Sequence, residues 1–126
     1  MQRERKILIV DDQADIREMT ALVLSGAGYA ADTAGSGEAA LDALGRQLYD
    51  LVLLDINMPG MDGWETLRLI RADQALEAMP VVMFSIKGEM RDKIEGMQEG
   101  ATDYITKPFE VDHLIERVGR VLEVPR

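Results

Sequence analysis

Five polar side chains stand where short apolar runs end. Asp11 and Asp12 follow Ile7–Val10, Asp55 follows Leu51–Leu54, Ser85 follows Val81–Phe84, and Lys107 closes Asp103–Thr106. Gathered in one crevice, three carboxylates would repel each other and raise one another's pKa unless a cation sat among them. The chain has no Cys and a single His, His113, so neither a thiolate nor an imidazole-based metal site is supported. An all-oxygen set points to Mg²⁺ or Mn²⁺, and Mg²⁺ prefers one or two carboxylates together with waters and a phosphate. Lys107 suits an anion held by such a metal, and Ser85 can hydrogen-bond a phosphate oxygen. The five residues read as a metal-assisted phosphoryl site with a carboxylate as nucleophile.

Such a crevice requires the strand ends to share one edge. The predicted strands are Ile7–Val10, Tyr29–Thr33, Leu51–Leu54, Val81–Phe84 and Asp103–Thr106. The first, third and fourth are nearly all apolar, as strands covered on both faces are; the second and fifth are mixed and suit the sheet edges. Segments of helical period lie between them. Ile16, Met19, Val23 and Ala27 share one helical face, and Gly26 and Gly28 bracket its stop. Ser36 is a candidate N-cap for a helix from Gly37 to Arg46. Asp62-Gly63-Trp64-Glu65 has capping-box spacing and opens a helix that buries Leu67 and Ile70. A fourth helix is predicted over 89–99 and a fifth after Pro108, the latter using Val111, Leu114, Ile115, Val118 and Leu122. Five β-then-α units predict an α/β fold, a doubly wound five-stranded parallel sheet with five helices. Its ligand crevice lies at the carboxyl ends of the strands.

The chain has 126 residues, 47% of them hydrophobic, which suits one compact domain over residues 1–126. Lys and Arg number 14 against 23 Asp and Glu, a formal charge of −9. That balance argues against direct nucleic-acid binding through a basic face. No apolar run approaches the ~18 residues of a membrane span. The basic residues before Ile7 are followed by too short an apolar stretch for a signal peptide. A soluble, cytoplasmic protein with no membrane contact is expected. The first strand starts a few residues after Met1, which fits a natural N-terminus; a stand-alone protein and a segment of a longer one are both compatible with the sequence.

Four blocks carry a family resemblance. Ile7-Leu-Ile-Val-Asp-Asp12, Leu51-Val-Leu-Leu-Asp-Ile-Asn-Met-Pro-Gly-Met-Asp-Gly63, Val81-Val-Met-Phe-Ser85 and Gly100-Ala-Thr-Asp-Tyr-Ile-Thr-Lys-Pro-Phe109 resemble, in order and over essentially the whole chain, the receiver domain of two-component response regulators, in particular single-domain chemotaxis regulators. The resemblance implies a flavodoxin-like strand order 2-1-3-4-5. It implies that Asp55 accepts a phosphoryl group from a phosphohistidine on a sensor histidine kinase or histidine phosphotransfer protein. Asp12 then resembles a direct Mg²⁺ ligand and Asp11 one acting partly through water, and the backbone carbonyl of Asn57 resembles a further ligand. Ser85 stands at the hydroxyl position that turns toward the phosphoryl group. Lys107 matches the lysine that pairs with that group, its bond to Pro108 usually cis, and Tyr104 occupies the aromatic switch position. The implied output surface for a downstream protein is the fourth helix, fifth strand and fifth helix, on a monomer or weak homodimer. One position departs from the pattern: the residue after the hydroxyl is usually small and here is Ile86. With Lys87 it flanks the pocket and controls access.

Plainer readings compete. Asp11 and Asp12 suit a strand-to-helix cap, Ser85 a strand end, and Tyr104 a half-buried strand position. Gly35-Ser-Gly37-Glu-Ala-Ala40 fits a dinucleotide fingerprint with Asp55 twenty residues on. The strand before it is too polar for a central place, and that reading leaves Asp11, Asp12, Ser85 and Lys107 unused. Aspartate-nucleophile phosphatases show Asp-x-Asp, from which Asp55-Ile-Asn departs. A phosphorylation-independent adaptor on the same fold remains an alternative.

Overall fold

The computed structural model describes residues 4–86 and 98–123. It contains β1 (Lys6–Val10), α1 (Ala14–Gly26), β2 (Ala30–Ala34), α2 (Gly37–Arg46), β3 (Leu51–Asp55), α3 (Gly63–Ala72), β4 (Val81–Ile86), β5 (Asp103–Lys107) and α4 (Val111–Glu123). The five strands are parallel in the order β2-β1-β3-β4-β5. The predicted helix over 89–99 lies almost wholly outside the described residues, so four helices, not five, are described.

Strand side chains alternate between two cores, as a period of two requires. Leu8, Val10, Val52, Leu54, Val81 and Met83 pack under α2 and α3 with Ala40, Leu44, Leu67 and Ile70. Ile7, Ile9, Leu51, Leu53, Val82, Phe84 and Ile105 pack under α1 and α4 with Leu24, Leu114, Val118 and Val121. β3 is buried at all five positions. Truncating a side chain such as Leu53 to Ala would cost about 2–5 kcal/mol, through lost transfer energy and the cavity left behind.

Local signals set the helix ends. Ser36 accepts a hydrogen bond from the Ala39 N–H at 3.1 Å, and Asp62 accepts one from the Glu65 N–H at 2.9 Å. Gly28, at φ 100°, turns the chain after α1. The inward face of α1 differs from the expected one: Thr20 and Leu24 are buried while Met19 is 47% exposed. Thr20 is acceptable there because its hydroxyl donates to the Ile16 carbonyl at 2.7 Å. In α4, Leu114 and Val118 are buried as the sequence pattern implied, Leu122 is partly buried, and the differences are an exposed Val111 and a buried Val121. At the far side of the sheet, Arg71 donates to the carbonyls of Met79 at 2.7 Å and Gly100 at 2.9 Å. That guanidinium ties the end of α3 to the approaches of β4 and β5.

At the same, amino end of the strands, Tyr49 just before β3 donates to Asp32 at 2.7 Å, and the Lys6 ammonium lies 5.7 Å from the centre of its ring. Burial, the hydrogen bond and the Asp32 charge push the Tyr49 phenol up to about 12. A raised phenol pKa stabilises the fold fully below the ordinary tyrosine value of 10.0, and the contribution is lost as pH climbs through about 12. The stability advantage of the protein over Tyr49→Phe, measured by urea unfolding, is expected to be flat up to pH 10.0 and to shrink between there and about 12. A difference that does not vary over that window would contradict the assignment.

Candidate functional site

The parallel topology delivers four of the five singled-out positions to one corner. Asp11 and Asp12 leave β1, Asp55 ends β3 and Lys107 ends β5. One carboxylate oxygen from each of Asp11, Asp12 and Asp55 can be chosen so that all three lie within 4.8 Å of one another. The Lys107 ammonium lies 2.8 Å from Asp11 Oδ2 and 3.3 Å from Asp55 Oδ1. Asp11 and Asp55 are 1% and 5% exposed, whereas Asp12 faces solvent.

Burying two carboxylates is costly, and one ammonium between them offsets only part of that cost. Burial holds the Asp55 carboxyl above the ordinary carboxylate range. The Lys107 charge and hydrogen bond oppose this, as does the Asn57 backbone N–H, while the Asp11 charge adds to it. Among the described residues the corner thus carries three acids against one ammonium. The donors are all hard oxygens, and a hard divalent cation fits them by charge and by ligand type. When bound, such an ion would neutralise the corner and polarise an incoming phosphoryl group.

The supporting residues are less obvious. Phe84 lies under Lys107, its ring centre 5.6 Å from Nζ, and stacks on Phe109 at 5.6 Å and 9°. Phe84 also pairs with Asp55 across the β3–β4 ladder. Gly63 lets α3 begin directly against that strand end, for a Cβ there would lie 2.3 Å from the Asp55 carbonyl oxygen. Its N–H donates to the Ile56 carbonyl at 2.9 Å. The Lys107-Pro108 peptide is cis.

The other expected residues distribute as follows. Asn57 is exposed, two residues beyond Asp55. Ser85 and Ile86 belong to β4, their backbones in register with Thr106 and Lys107. Their side chains, and Lys87 altogether, lie outside the described residues. Tyr104 is 7% exposed and packs in the core beneath α2 and α3. His113 is exposed. The dinucleotide-like glycines fall between β2 and α2, at the outer edge of the sheet and away from the acidic corner.

Residues 7–119 match the response regulator receiver domain. The chain belongs to that family. Receiver domains are phosphoryl-accepting regulators, not classical enzymes, and in this one the acidic pocket is Asp11, Asp12 and Asp55. The chain is 42% identical over 114 residues to the DNA-binding response regulator MtrA of Mycobacterium tuberculosis, covering 90% of this chain and 49% of that protein. It is 42% identical over 118 residues to the phosphate regulon regulator PhoB of Pseudomonas aeruginosa, covering 94% and 52%. The chain therefore spans about half the length of the curated relatives it matches. Among solved structures, a response regulator from Chloroflexus aurantiacus superimposes with a TM-score of 0.93 at 38% identity, covering 97% of this chain and 100% of that one. The chemotaxis regulator CheY4 of Vibrio cholerae gives 0.90 at 34%, covering 94% and 99%. No helix among the described residues is long and apolar enough to cross a membrane.

Because Asp55 is buried beside a second carboxylate, its ionised form is disfavoured in the fold before any metal is added. Asp55→Asn is expected to unfold at a higher urea concentration than the parent protein at neutral pH without divalent cations. A lower midpoint would show that the Lys107 pairing outweighs burial and repulsion.

Proposed function

We propose that this receiver domain, residues 1–126, takes a phosphoryl group onto Asp55 from a phosphohistidine of a sensor histidine kinase or histidine phosphotransfer protein in the cytoplasm. The observation that carries the reading is the buried Asp55 carboxylate at the sheet edge, with Lys107 3.3 Å away and two further acids around it. An Asp55 oxygen attacks phosphorus in line, the phosphorus–nitrogen bond breaks, and the electron pair leaves on the imidazole, which takes up a proton. Lys107 is already placed to move from a carboxylate oxygen to a phosphoryl oxygen. Asp12 and Asp55, the Asn57 carbonyl and, partly through water, Asp11 are the groups we assign to holding Mg²⁺, with Mn²⁺ a substitute. The exposure of Asp12 and the engagement of Asp11 with Lys107 support that division of roles.

The new acyl phosphate adds negative charge and acceptors in place of a carboxylate oxygen. Ser85 then turns toward the phosphoryl group and the Tyr104 ring, already buried, is held inward. This alters the output face that the family resemblance implies, β5 and α4 among it. A downstream protein reads that face, on a monomer or weak homodimer, with neither nucleic acid nor membrane contacted by this domain. Any ligand-driven shift of this kind must come from contacts that differ between the two states.

Intact-mass spectrometry after mixing with a phosphohistidine donor and Mg²⁺ is expected to show one added phosphoryl group, and none in Asp55→Ala. Equal labelling of the variant would overturn the assignment of the acceptor. Ile86 beside the hydroxyl position narrows access for small donors, so Ile86→Ala is expected to be labelled faster by small acyl phosphates. Equal rates for the two proteins would remove that role.

A further inference from the structure

Asp11 is tied down at every polar atom. Its N–H donates to the Ala34 carbonyl at 3.1 Å. Its Oδ1 accepts from the Gln13 N–H at 3.0 Å and its Oδ2 from Lys107 at 2.8 Å. The fourth tie is different in kind: Arg17, at the end of the first turn of α1, donates from Nη1 to the Asp11 carbonyl oxygen at 2.8 Å. None of the phosphoryl chemistry uses Arg17. Its guanidinium also lies close to the turn that follows β2, since a Cβ on Gly35, between β2 and α2, would lie only 3.1 Å from that same nitrogen.

The carbonyl that Arg17 holds belongs to the peptide joining Asp11 to Asp12. Rotation of that peptide would swing the stem of Asp12, whose side chain is exposed. We propose that Arg17 is a positioning residue for cation binding: it locks the Asp11–Asp12 peptide so that the Asp12 carboxylate is held at the acidic corner. This rests on the reading of that corner as a divalent-cation site. The guanidinium has two effects of opposite sign. Its charge repels a cation, which weakens binding, whereas its hydrogen bond preorganises a ligand, which strengthens it. Arg17 itself is only half-buried, so solvent and salt screen its charge. A charge-assisted hydrogen bond to a part-buried carbonyl is the larger effect. Removing Arg17 should therefore weaken cation binding, although it removes a positive charge.

The test is a Mn²⁺ titration of the 126-residue chain, with the free ion read by electron paramagnetic resonance, for the parent, Arg17→Gln, Arg17→Lys and Gly35→Ala. Arg17→Gln is expected to bind Mn²⁺ about fivefold more weakly or worse, with Arg17→Lys recovering part of the loss. Gly35→Ala keeps every charge and merely displaces the guanidinium, so a loss of about twofold is expected from the weakened hydrogen bond. With a small acyl phosphate, the Mg²⁺ concentration giving half-maximal labelling should rise by the same factors, while the rate at saturating Mg²⁺ stays near the parent's. A merely structural role would instead lower the saturating rate and the thermal midpoint together. Should Arg17→Gln fold poorly, Gly35→Ala decides. Unchanged or tighter Mn²⁺ binding in Arg17→Gln or, where that variant folds poorly, in Gly35→Ala overturns the proposal. Failure of the parent itself to bind Mn²⁺ removes the cation site and this inference with it, an outcome distinct from equal binding by parent and variants.

Discussion

Two buried carboxylates share one lysine, and the corner is organised around that imbalance. Asp11 and Asp55 lose most of their water when the strands of a parallel sheet come together, and Lys107 returns only one positive charge. A fold does not keep such an arrangement for stability, because a well-packed apolar replacement of a buried ion pair is often as stable or more so. What the arrangement provides is unsatisfied negative potential at a fixed place. A divalent cation and a phosphoryl group are the complementary pair: the first balances the acids, the second takes up the lysine.

The rest of the architecture serves that corner. Parallel pairing brings the carboxyl ends of β1, β3 and β5 together, although Asp11 and Lys107 are 96 positions apart in the chain. β3, apolar over its first four residues and buried at all five, carries Asp55 into the interior as its last residue. The glycine at the start of α3 allows helix backbone to close on that strand end, and the stacked Phe84 and Phe109 support the lysine from below. These are rigid elements, so phosphorylation acts on a site whose geometry exists before the reaction.

The parallel α/β class and the acidic corner were legible because their signals are local and repeated, whereas the strand order 2-1-3-4-5 came with the family resemblance. Each central strand is an apolar run, the acids stand at the carboxyl ends of two of them, and Lys107 closes the mixed fifth strand, so that parallel pairing brings them to one edge. The inward face of α1 was not legible. Thr20 looks polar in sequence, and only its hydrogen bond to the Ile16 carbonyl makes it a core residue, while Met19 looks like core and is exposed. Arg17 left no trace in the sequence either, since a side chain that acts on a main-chain carbonyl has no motif. Phe84 read as one more apolar strand residue; its place under the ammonium depends on the register of β4 against β3 and β5.

The claim at the centre is that the acids of β1 and β3 form one cation site at the phosphoryl acceptor. Paramagnetic broadening by Mn²⁺ in the amide spectrum of the chain tests it most directly. The account predicts broadening confined at low Mn²⁺ to residues around Asp11 and Asp12, Asp55 to Asn57, and Lys107. Broadening centred instead on the exposed acids of α1, Asp15 and Glu18, with the β3 end untouched, would contradict it.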